Sequence, residues 1–293
     1  MSDKEVINKL EETGEYRILR RLKTPIQYHQ PDSTSTKTAI LIDLETTGLD
    51  ANKDEIIEIA LVPFAYSNDG RIFKVYEAYN QLQEPKEAIP EKITQITGIT
   101  NELVRGQKIN SDKVLKVIDK AALIIAHNAD FDRKFAENAF PIFKDKAWAC
   151  SLTNIPWYEE QFESRKLEYL AMQNGFFYDG HRAVTDCYAT IELLSRKLPQ
   201  SGTLALCALL ETARESTYRI WAEGSSYDYK DILKARGYRW NDGKNDQPRS
   251  WYQDVNKDTL KEEISFLRKE IYQREAELQI VKITAFDRFS ERI

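Results

Sequence analysis

Apolar and polar positions fall into blocks along the chain, and these blocks predict a mixed α/β protein. The run Ala39-Ile40-Leu41-Ile42 is apolar and rich in β-branched residues, which predicts a buried strand. Two more strands are predicted over Glu55–Tyr66 and Arg71–Tyr79, joined by the turn sequence Ser67-Asn68-Asp69-Gly70. Helices and strands then alternate as far as about Lys197. Three hairpin-like strands followed by this alternation indicate an α/β layout with a mixed sheet.

The pattern changes after Pro199-Gln200-Ser201-Gly202. A strand is predicted over Thr217–Glu223, followed by a short helix and a hairpin. A long amphipathic helix then starts at Asn256 or Asp258, and a last strand covers Lys282–Phe289. We therefore predict three segments: 1–37, an N-terminal helix, basic segment and linker; 38–200, the main α/β domain; and 203–293, a small α+β domain.

Composition narrows the class of protein. The 293 residues are 42% hydrophobic and 30% charged, which favours well-formed cores under a charged surface. The chain has no apolar run near the ~20 residues that span a membrane and no apolar signal-peptide core at its start, so we expect a cytoplasmic protein without membrane contact. The net charge of −5 means that any nucleic-acid binding must be local. Three scattered cysteines form neither a disulfide framework nor a zinc spacing.

Two carboxylates follow the first buried strand. Asp43 and Glu45 are two residues apart, so in an extended chain they point to the same face. Carboxylates beside a core are costly unless a positive group holds them, and Mg²⁺ or Mn²⁺ does this well. From this pair alone, two solvated charges at a strand end are an equally good interpretation.

Two further polar clusters support the metal site. The segment His127-Asn128-Ala129-Asp130-Phe131-Asp132 follows an apolar strand, and Gly180-His181-Arg182-Ala183-Val184-Thr185-Asp186 opens a helix. Within one helix His181 and Asp186 would lie about 140° apart, so His181 must precede the helix if both face one site. Three element ends that each offer an acid predict one metal site.

These motifs resemble those of the DnaQ-like (DEDDh) 3′→5′ exonucleases, the family of the epsilon proofreading subunit of bacterial DNA polymerase III. The matching elements are Asp43-x-Glu45-Thr46-Thr47-Gly48-Leu49, His127-Asn128-x-x-Phe131-Asp132 and His181-x-x-x-x-Asp186. The resemblance covers about Thr38 to Leu198. It takes Asp132 as the third acid, with Asp130 as a neighbour, and places the chain in the histidine branch.

The resemblance implies both a fold and a mechanism. The fold is a ribonuclease H-like mixed sheet of five strands flanked by helices, with the small C-terminal α+β domain outside the match. Two divalent ions, Mg²⁺ or Mn²⁺, are expected on Asp43, Glu45, Asp132 and Asp186, with His181 as the general base. The product is a nucleoside 5′-monophosphate released from single-stranded or frayed DNA ends. The alternatives are the same reaction on short or structured RNA, and a nucleic-acid-binding adaptor with an accessory nuclease domain.

The same resemblance implies a substrate groove beside the acids. Its residues are Thr46, Thr47, Gly48, Leu49, His127, Asn128 and Phe131. Leu49 is expected to lie against a base. For His127 and Asn128, hydrogen bonds that stabilise the loop are an equally good interpretation.

The terminal segments leave alternatives open. The basic stretch Tyr16–Lys23 either touches a phosphate backbone or packs its apolar residues on the next domain. In the C-terminal domain, aromatic and basic residues could bind a single strand or form the core; they are Tyr227, Tyr229, Lys230, Lys234, Arg236, Tyr238, Arg239, Trp240, Arg249, Trp251 and Tyr252. Expected partners are single-stranded DNA or RNA 3′ ends and a DNA polymerase or repair complex. The stripe Leu260, Ile264, Leu267, Ile271 and Leu278 could also form a homodimer.

Overall fold

The computed structural model describes residues 3–243 and 247–293. Residues 1–2 of the predicted N-terminal segment, and 244–246 in the loop of the predicted hairpin, lie outside the described residues. The chain begins with α1 (Asp3–Glu12) and the two-residue strand β1 (Arg20–Arg21). Within the described ranges, no helix is both long enough and apolar enough to cross a membrane.

A mixed sheet forms the centre of the protein, as predicted. Its strands are β2 (Lys37–Thr46), β3 (Ile56–Tyr66), β4 (Ile72–Val75), β5 (Tyr79–Leu82), β6 (Leu123–Ala126) and β7 (Trp148–Cys150). Five strands lie in the order β4-β3-β2-β6-β7, and β5 also pairs with β3. β2 runs antiparallel to β3 and parallel to β6. The sheet has six strands where five were expected. The predicted third strand is two short strands, β4 and β5, which pair with different parts of the long strand β3.

Helices cover both faces of this sheet. They are α2 (Glu91–Thr97), α3 (Asn101–Val104), α4 (Ser111–Asp119), α5 (Ala129–Ala139), α6 (Leu167–Gln173), α7 (Ala183–Leu194) and α8 (Ala205–Arg214), with a 3₁₀ turn at Pro141–Asp145. Odd-numbered β2 residues such as Leu41 pack in one core with residues of α6, α7 and α8. Even-numbered residues such as Ile40 pack in the other core with residues of α4 and α5. This alternation decides which helix each acid at the end of β2 will face.

A second sheet is built from the C-terminal segment. Its strands are β9 (Thr217–Trp221), β10 (Arg239–Trp240), β11 (Trp251–Asn256) and β12 (Ile280–Ile283), in the order β10-β11-β9-β12. Its helices are α9 (Lys230–Ala235) and α10 (Leu260–Phe266), with a 3₁₀ turn at Tyr227–Tyr229 and a π-helical turn at Leu267–Tyr272. The predicted small α+β unit is thus present. The division after residue 200 stays a prediction, and the structure adds that α8 packs in the core of the large sheet.

Two C-terminal elements are shorter than predicted. The long helix ends at Tyr272, and its next residue, Gln273, takes a positive φ of 53°. The stripe residues Leu267 and Ile271 are buried in the C-terminal core, so this face of the helix packs within the protein. The last strand ends at Ile283, because the residues after it turn back towards α5 and β7: Trp148 donates its backbone N–H to the Ala285 carbonyl at 2.7 Å.

The N-terminal segment lies along the main domain. β1 pairs in parallel with β8 (Phe176–Phe177), and Leu22 packs against the core of the large sheet. Arg17 donates to the Met172 and Gln173 carbonyls at the end of α6, both at 2.9 Å. The packing alternative for this basic stretch therefore has direct support.

Candidate active site

Asp43 and Glu45 lie at the end of β2 and are both partly buried. They continue the odd-numbered face of the strand, which packs against α7. The residue between them, Leu44, points to the other face and is buried with residues of α5. The period-2 alternation therefore aims the two acids at the helix that carries Asp186.

Asp186 completes a group of three carboxylates. One oxygen each from Asp43, Glu45 and Asp186 lies within 4.8 Å of the others. Asp186 is in the first turn of α7, where its carboxylate accepts the backbone N–H of Arg182 and the hydroxyl of Tyr178, both at 3.1 Å. These bonds fix the direction of the carboxylate towards the end of β2.

Asp132 approaches the same strand end from the opposite helix. It lies in the first turn of α5 and is 3% exposed, on the helix whose residues share a core with Leu44. The negative charge of Asp132 raises the pKa of Asp43, so the two carboxylates are close enough to interact strongly. Asp130 instead points outward and pairs with Lys134 at 3.1 Å. The structure brings Asp132 to the other acids and leaves Asp130 on the surface.

All four carboxylates have raised pKa values. Burial is the main cause for each, and it raises the pKa of Glu45 to about 8 and that of Asp132 to about 8. For Asp43, the neighbouring charges of Asp132, Asp186 and Glu45 add to the effect of burial. Buried like charges oppose folding unless a cation neutralises them. This all-oxygen donor set fits a hard divalent cation such as Mg²⁺ or Mn²⁺.

His181 lies on an exposed loop immediately before α7, which begins at Ala183. Its own φ is +62°, a left-handed conformation that is uncommon outside glycine. Gly180 contributes space to this loop, because a Cβ there would lie 3.1 Å from Glu168 Oε1. The His181 side chain is therefore held outside the helix, beside Asp186, whose pKa its charge lowers.

Glu58 is a site neighbour that the sequence analysis missed. It lies opposite Glu45 in the β2–β3 pairing and has no exposed surface. Its carboxylate accepts hydrogen bonds from Arg182 and from the first N–H of α7, on Ala183. The signal in the sequence was a single charge inside the apolar run Ile56-Ile57-Glu58-Ile59-Ala60.

The turn after Glu45 is compact around Asp54. The Asp54 carboxylate accepts the Asp50 N–H at 2.8 Å and the Thr47 hydroxyl at 3.4 Å. A Cβ on Gly48 would lie 2.4 Å from Asp54 Oδ1, so only glycine permits this approach. Leu49 is 86% exposed at the tip of the turn, which leaves its side chain free to contact a ligand.

His127, Asn128 and Phe131 differ in what they contact. His127 Nδ1 is 2.8 Å from Ser151 Oγ, and Nε2 is 2.9 Å from the Arg165 carbonyl. Burial lowers the pKa of His127 to about 4, so this ring is neutral at pH 7. Asn128 is the exposed N-cap residue of α5, and Phe131 packs on Phe135 with ring centroids 4.9 Å apart.

The aromatic residues of the C-terminal domain divide between core and surface. Tyr238 is 2% exposed and lies in the core, while Trp240 is half exposed and Tyr227 is 75% exposed. Arg219 and Arg239 both pair with Asp254, and both lie over the Tyr252 ring. These two cations are thus already neutralised in part within the domain.

Comparison with known proteins supports the interpretation of the large domain. A family model described as exonuclease matches residues 40–194. The PolC-type DNA polymerase III of Clostridium perfringens is 29% identical over 177 residues, which are 58% of this chain and 12% of that protein. The DNA polymerase III subunit epsilon of Aquifex aeolicus is 28% identical over 184 residues, which are 60% of this chain and 88% of that protein. The chain thus spans a small fraction of the length of its PolC-type relatives.

Solved structures share the fold. E. coli exonuclease I in complex with a dT13 oligonucleotide is 18% identical with a TM-score of 0.53, over 75% of this chain and 63% of that chain. The same enzyme with a dA16 oligonucleotide is 17% identical with a TM-score of 0.52, over 86% of this chain and 66% of that chain. Because the family model covers more than half of the residues, the chain belongs to the exonuclease family, as the resemblance to the DnaQ-like exonucleases predicted.

Proposed function

We propose that this protein is a metal-dependent 3′→5′ exonuclease that releases nucleoside 5′-monophosphates from single-stranded or frayed DNA ends. The observation that carries this proposal is the convergence of Asp43, Glu45, Asp132 and Asp186 from three elements, with raised pKa values and an exposed histidine beside them. Such a constellation binds cations next to a phosphodiester.

We assign the cation site to the four carboxylates. Asp43, Glu45 and Asp186 would hold one ion, and Asp43 with Asp132 would hold the second. When bound there, divalent ions would supply a nucleophile at neutral pH and would neutralise the charge that develops on the scissile phosphate. Tyr178 and the Arg182 N–H keep the Asp186 carboxylate in its binding orientation.

His181 is assigned as the general base. Its loop position leaves the imidazole accessible to a water molecule at the edge of the carboxylate cluster. A neutral imidazole at this place can accept a proton from that water. The negative charge of Asp186 stabilises the protonated ring that results.

The terminal nucleotide is assigned to the turn after Glu45. Thr46, Thr47 and Gly48 form its backbone, and the exposed Leu49 side chain would lie against the base. Asn128 and Phe131 are assigned to the opposite wall. Because both ring nitrogens of His127 are used internally, we assign it to holding this wall in place.

DNA is favoured over RNA by the relatives, which are DNA polymerase III proteins. The relative named as a DNA polymerase III subunit supports a DNA polymerase partner. A role in proofreading or repair and a cytoplasmic location stay predictions. The adaptor alternative would place the main function in the C-terminal domain, where Trp240 and Tyr227 are exposed. A homodimer through α10 has less support, because Leu267 and Ile271 are buried in the protein's own core.

The test is a digestion with end-labelled oligonucleotides. Single-stranded DNA, duplex DNA and RNA of one sequence are incubated in EDTA, Mg²⁺ or Mn²⁺, with the label at the 5′ end in one set and the 3′ end in another. We expect immediate release of the 3′ label as a 5′-monophosphate, and a ladder of shortened 5′-labelled products. The Asp43→Ala variant is the control for contaminating nucleases. Loss of the 5′ label first, or wild-type hydrolysis in excess chelator, would contradict the proposal.

A further inference from the structure

We propose that Glu58 and Arg182 form an ion pair that holds His181 in the position in which it acts as the general base. This inference rests on the proposed exonuclease function, and it gives Glu58 a role in the rate of hydrolysis without assigning it any contact with substrate. The pair joins the central strand β3 to the loop that precedes α7.

The pair is fully formed in the structure. Glu58 has no exposed surface, and its Oε1 lies 3.0 Å from Arg182 Nη2 and 3.1 Å from Asn80 Nδ2. Its Oε2 lies 3.2 Å from Arg182 Nε and 3.2 Å from the Ala183 backbone nitrogen. The guanidinium therefore binds the carboxylate through two nitrogens, a geometry that fixes direction as well as distance. The outer part of the Arg182 side chain stays open to solvent, with 45% exposure.

The same carboxylate starts helix α7. The side chain of the N-cap residue Arg182 makes no capping hydrogen bond to α7. The first N–H of the helix, on Ala183, instead donates to Glu58 on strand β3. A negative group at the N-terminus of a helix is also favoured by the helix dipole. Glu58 therefore determines where α7 begins, and with it where the preceding loop ends.

His181 immediately precedes Arg182 and is therefore next to the ion pair with Glu58. Its positive φ of 62° is a conformation that the surrounding structure must impose on a non-glycine residue. On one side Arg182 is fixed by Glu58, and its N–H is fixed by Asp186. On the other side Tyr178 is fixed by its hydrogen bond to Asp186. Release of Arg182 would free the nearer of these two supports and let His181 relax towards an ordinary backbone conformation.

A stability role alone does not account for a carboxylate at this position. Glu58 is buried beside the acidic cluster, and its charge contributes to the raised pKa values of Asp43 and Glu45. A neutral or apolar residue would avoid this repulsion, and buried ion pairs often stabilise a fold no better than apolar groups of the same size. The unfavourable repulsion between Glu58 and the acidic cluster is explained if the ion pair of Glu58 with Arg182 is needed to fix the loop before α7.

The decisive experiment is a double-mutant cycle between Glu58→Gln and His181→Ala. We measure the single-turnover rate on a saturating single-stranded DNA with Mg²⁺, the Kd for the same oligonucleotide in EDTA, and the Tm. Glu58→Gln should lower the rate about 10- to 100-fold in the wild-type background, which is less than the roughly 10²–10⁴-fold that the positioned base itself contributes. In the His181→Ala background the same change should cost less than about threefold, because there is no longer a base to position. The Kd should change less than about threefold in both backgrounds.

Glu192→Gln is the matched control. Glu192 lies on the same helix at its far end and also binds an arginine, Arg196, and a second donor, the hydroxyl of Tyr28. Its substitution removes a comparable pair and should leave the rate unchanged. Equal rates for Glu58→Gln and Glu192→Gln, or equal losses from Glu58→Gln with and without His181, would overturn the inference.

Arg182→Lys tests the pair from its accessible side if Glu58→Gln does not fold. It keeps the positive charge but loses the two-nitrogen contact. We expect the same rate loss and the same disappearance of that loss in the His181→Ala background. A weaker Kd with an unchanged saturated rate would show instead that Arg182 binds the DNA, and would overturn the positioning role. An inactive wild-type protein would reject the proposed function itself, which these variants do not test.

Discussion

Leu44 of β2 is buried in the same core as Phe135 of α5. Leu44 is the residue between Asp43 and Glu45, and α5 carries Asp132 in its first turn, so this packing brings the helix of the third acid onto the strand of the first two. Asp132 is buried there, whereas Asp130 is exposed and pairs with Lys134. Burial beside the first two acids therefore distinguishes Asp132 from its neighbour Asp130.

Substitution of these two acids should give very different results. Asp132→Asn should abolish turnover, because it removes a charged oxygen ligand from the cluster. Asp130→Asn should have little effect, because it removes only an exposed pair with Lys134 that is worth less than about 1 kcal/mol. The measurement is the rate of 3′-label release at several Mg²⁺ concentrations. Equal losses, or the reverse order, would show that the third acid is misassigned.

The metal-free protein should lose stability as the pH rises. Glu45 and Asp132 have pKa values of about 8 in the folded protein, while carboxylates in the unfolded chain titrate near ~4. Between these values the folded state binds more protons than the unfolded state, so the free energy of unfolding falls with increasing pH until about 8. The check is the Tm in EDTA between pH 6.5 and 8.5. The pKa of His127, about 4 in the folded protein, lies below the ~6.5 of an unfolded histidine, so His127 acts in the opposite direction, but only at the lower end of this range.

Metal should reverse this trend, because cations bind the ionised carboxylates. Added Mg²⁺ is expected to raise the Tm more at pH 8.5 than at pH 6.5. Asp43→Ala should be at least as stable as the wild type in EDTA, since it removes one of the repelling charges, and it should lose most of the stabilisation by Mg²⁺. A Tm in EDTA that rises with pH, or an Asp43→Ala variant that keeps the full Mg²⁺ effect, would argue against a shared cation site.

Local pattern predicted the strand and the first two acids. The apolar run before Asp43 and the two-residue spacing to Glu45 depend only on neighbouring residues, so the sequence carried that information. The choice of Asp132 over Asp130 came from the family resemblance, because both lie in the first turn of α5. Helix geometry predicted that His181 lies in the loop before α7. It did not predict the positive φ that His181 adopts there.

Long-range contacts account for what the sequence did not predict. Glu58 was read as part of an apolar strand, and its partner Arg182 is 124 residues away. The residues after Ile283 were predicted to continue a strand. Their carbonyl groups instead bind Arg133, more than 150 residues earlier in the chain. Periodicity within a short window has no access to such partners.

That C-terminal contact should be important for stability. Arg133 on α5 is fully buried and donates to Glu137 at 2.6 Å and to the carbonyls of Arg288 and Phe286, both at 2.7 Å. Arg133→Ala removes a donor from the Arg288 carbonyl and takes one of several donors from the buried Glu137 carboxylate and from the Phe286 carbonyl, which keep contacts with Ser290 or Arg292. Because the lost contacts are buried and one of them is an ion pair, the change should cost about 3 kcal/mol in the free energy of unfolding. Lys134→Ala, next to it on the exposed side, should cost less than about 0.5 kcal/mol. Urea unfolding of both variants measures the difference, and equal values would show that the buried contact contributes no more than a surface pair.

His181→Ala separates proton transfer from metal binding. If His181 accepts a proton from the attacking water, it must be neutral to act, so the wild-type rate should rise with pH through the pKa of the histidine. The variant should lose this rise in rate with pH, the pH limb of the profile, and should turn over roughly 10²–10⁴-fold more slowly. Its Kd for single-stranded DNA should change little, because the carboxylates and the turn after Glu45 remain. Single-turnover rates and Kd values on one oligonucleotide from pH 5.5 to 9 test both statements. A variant that keeps the pH limb, and whose binding weakens in step with its rate, would show that His181 binds the phosphate or orders its loop, and would leave the exonuclease assignment intact.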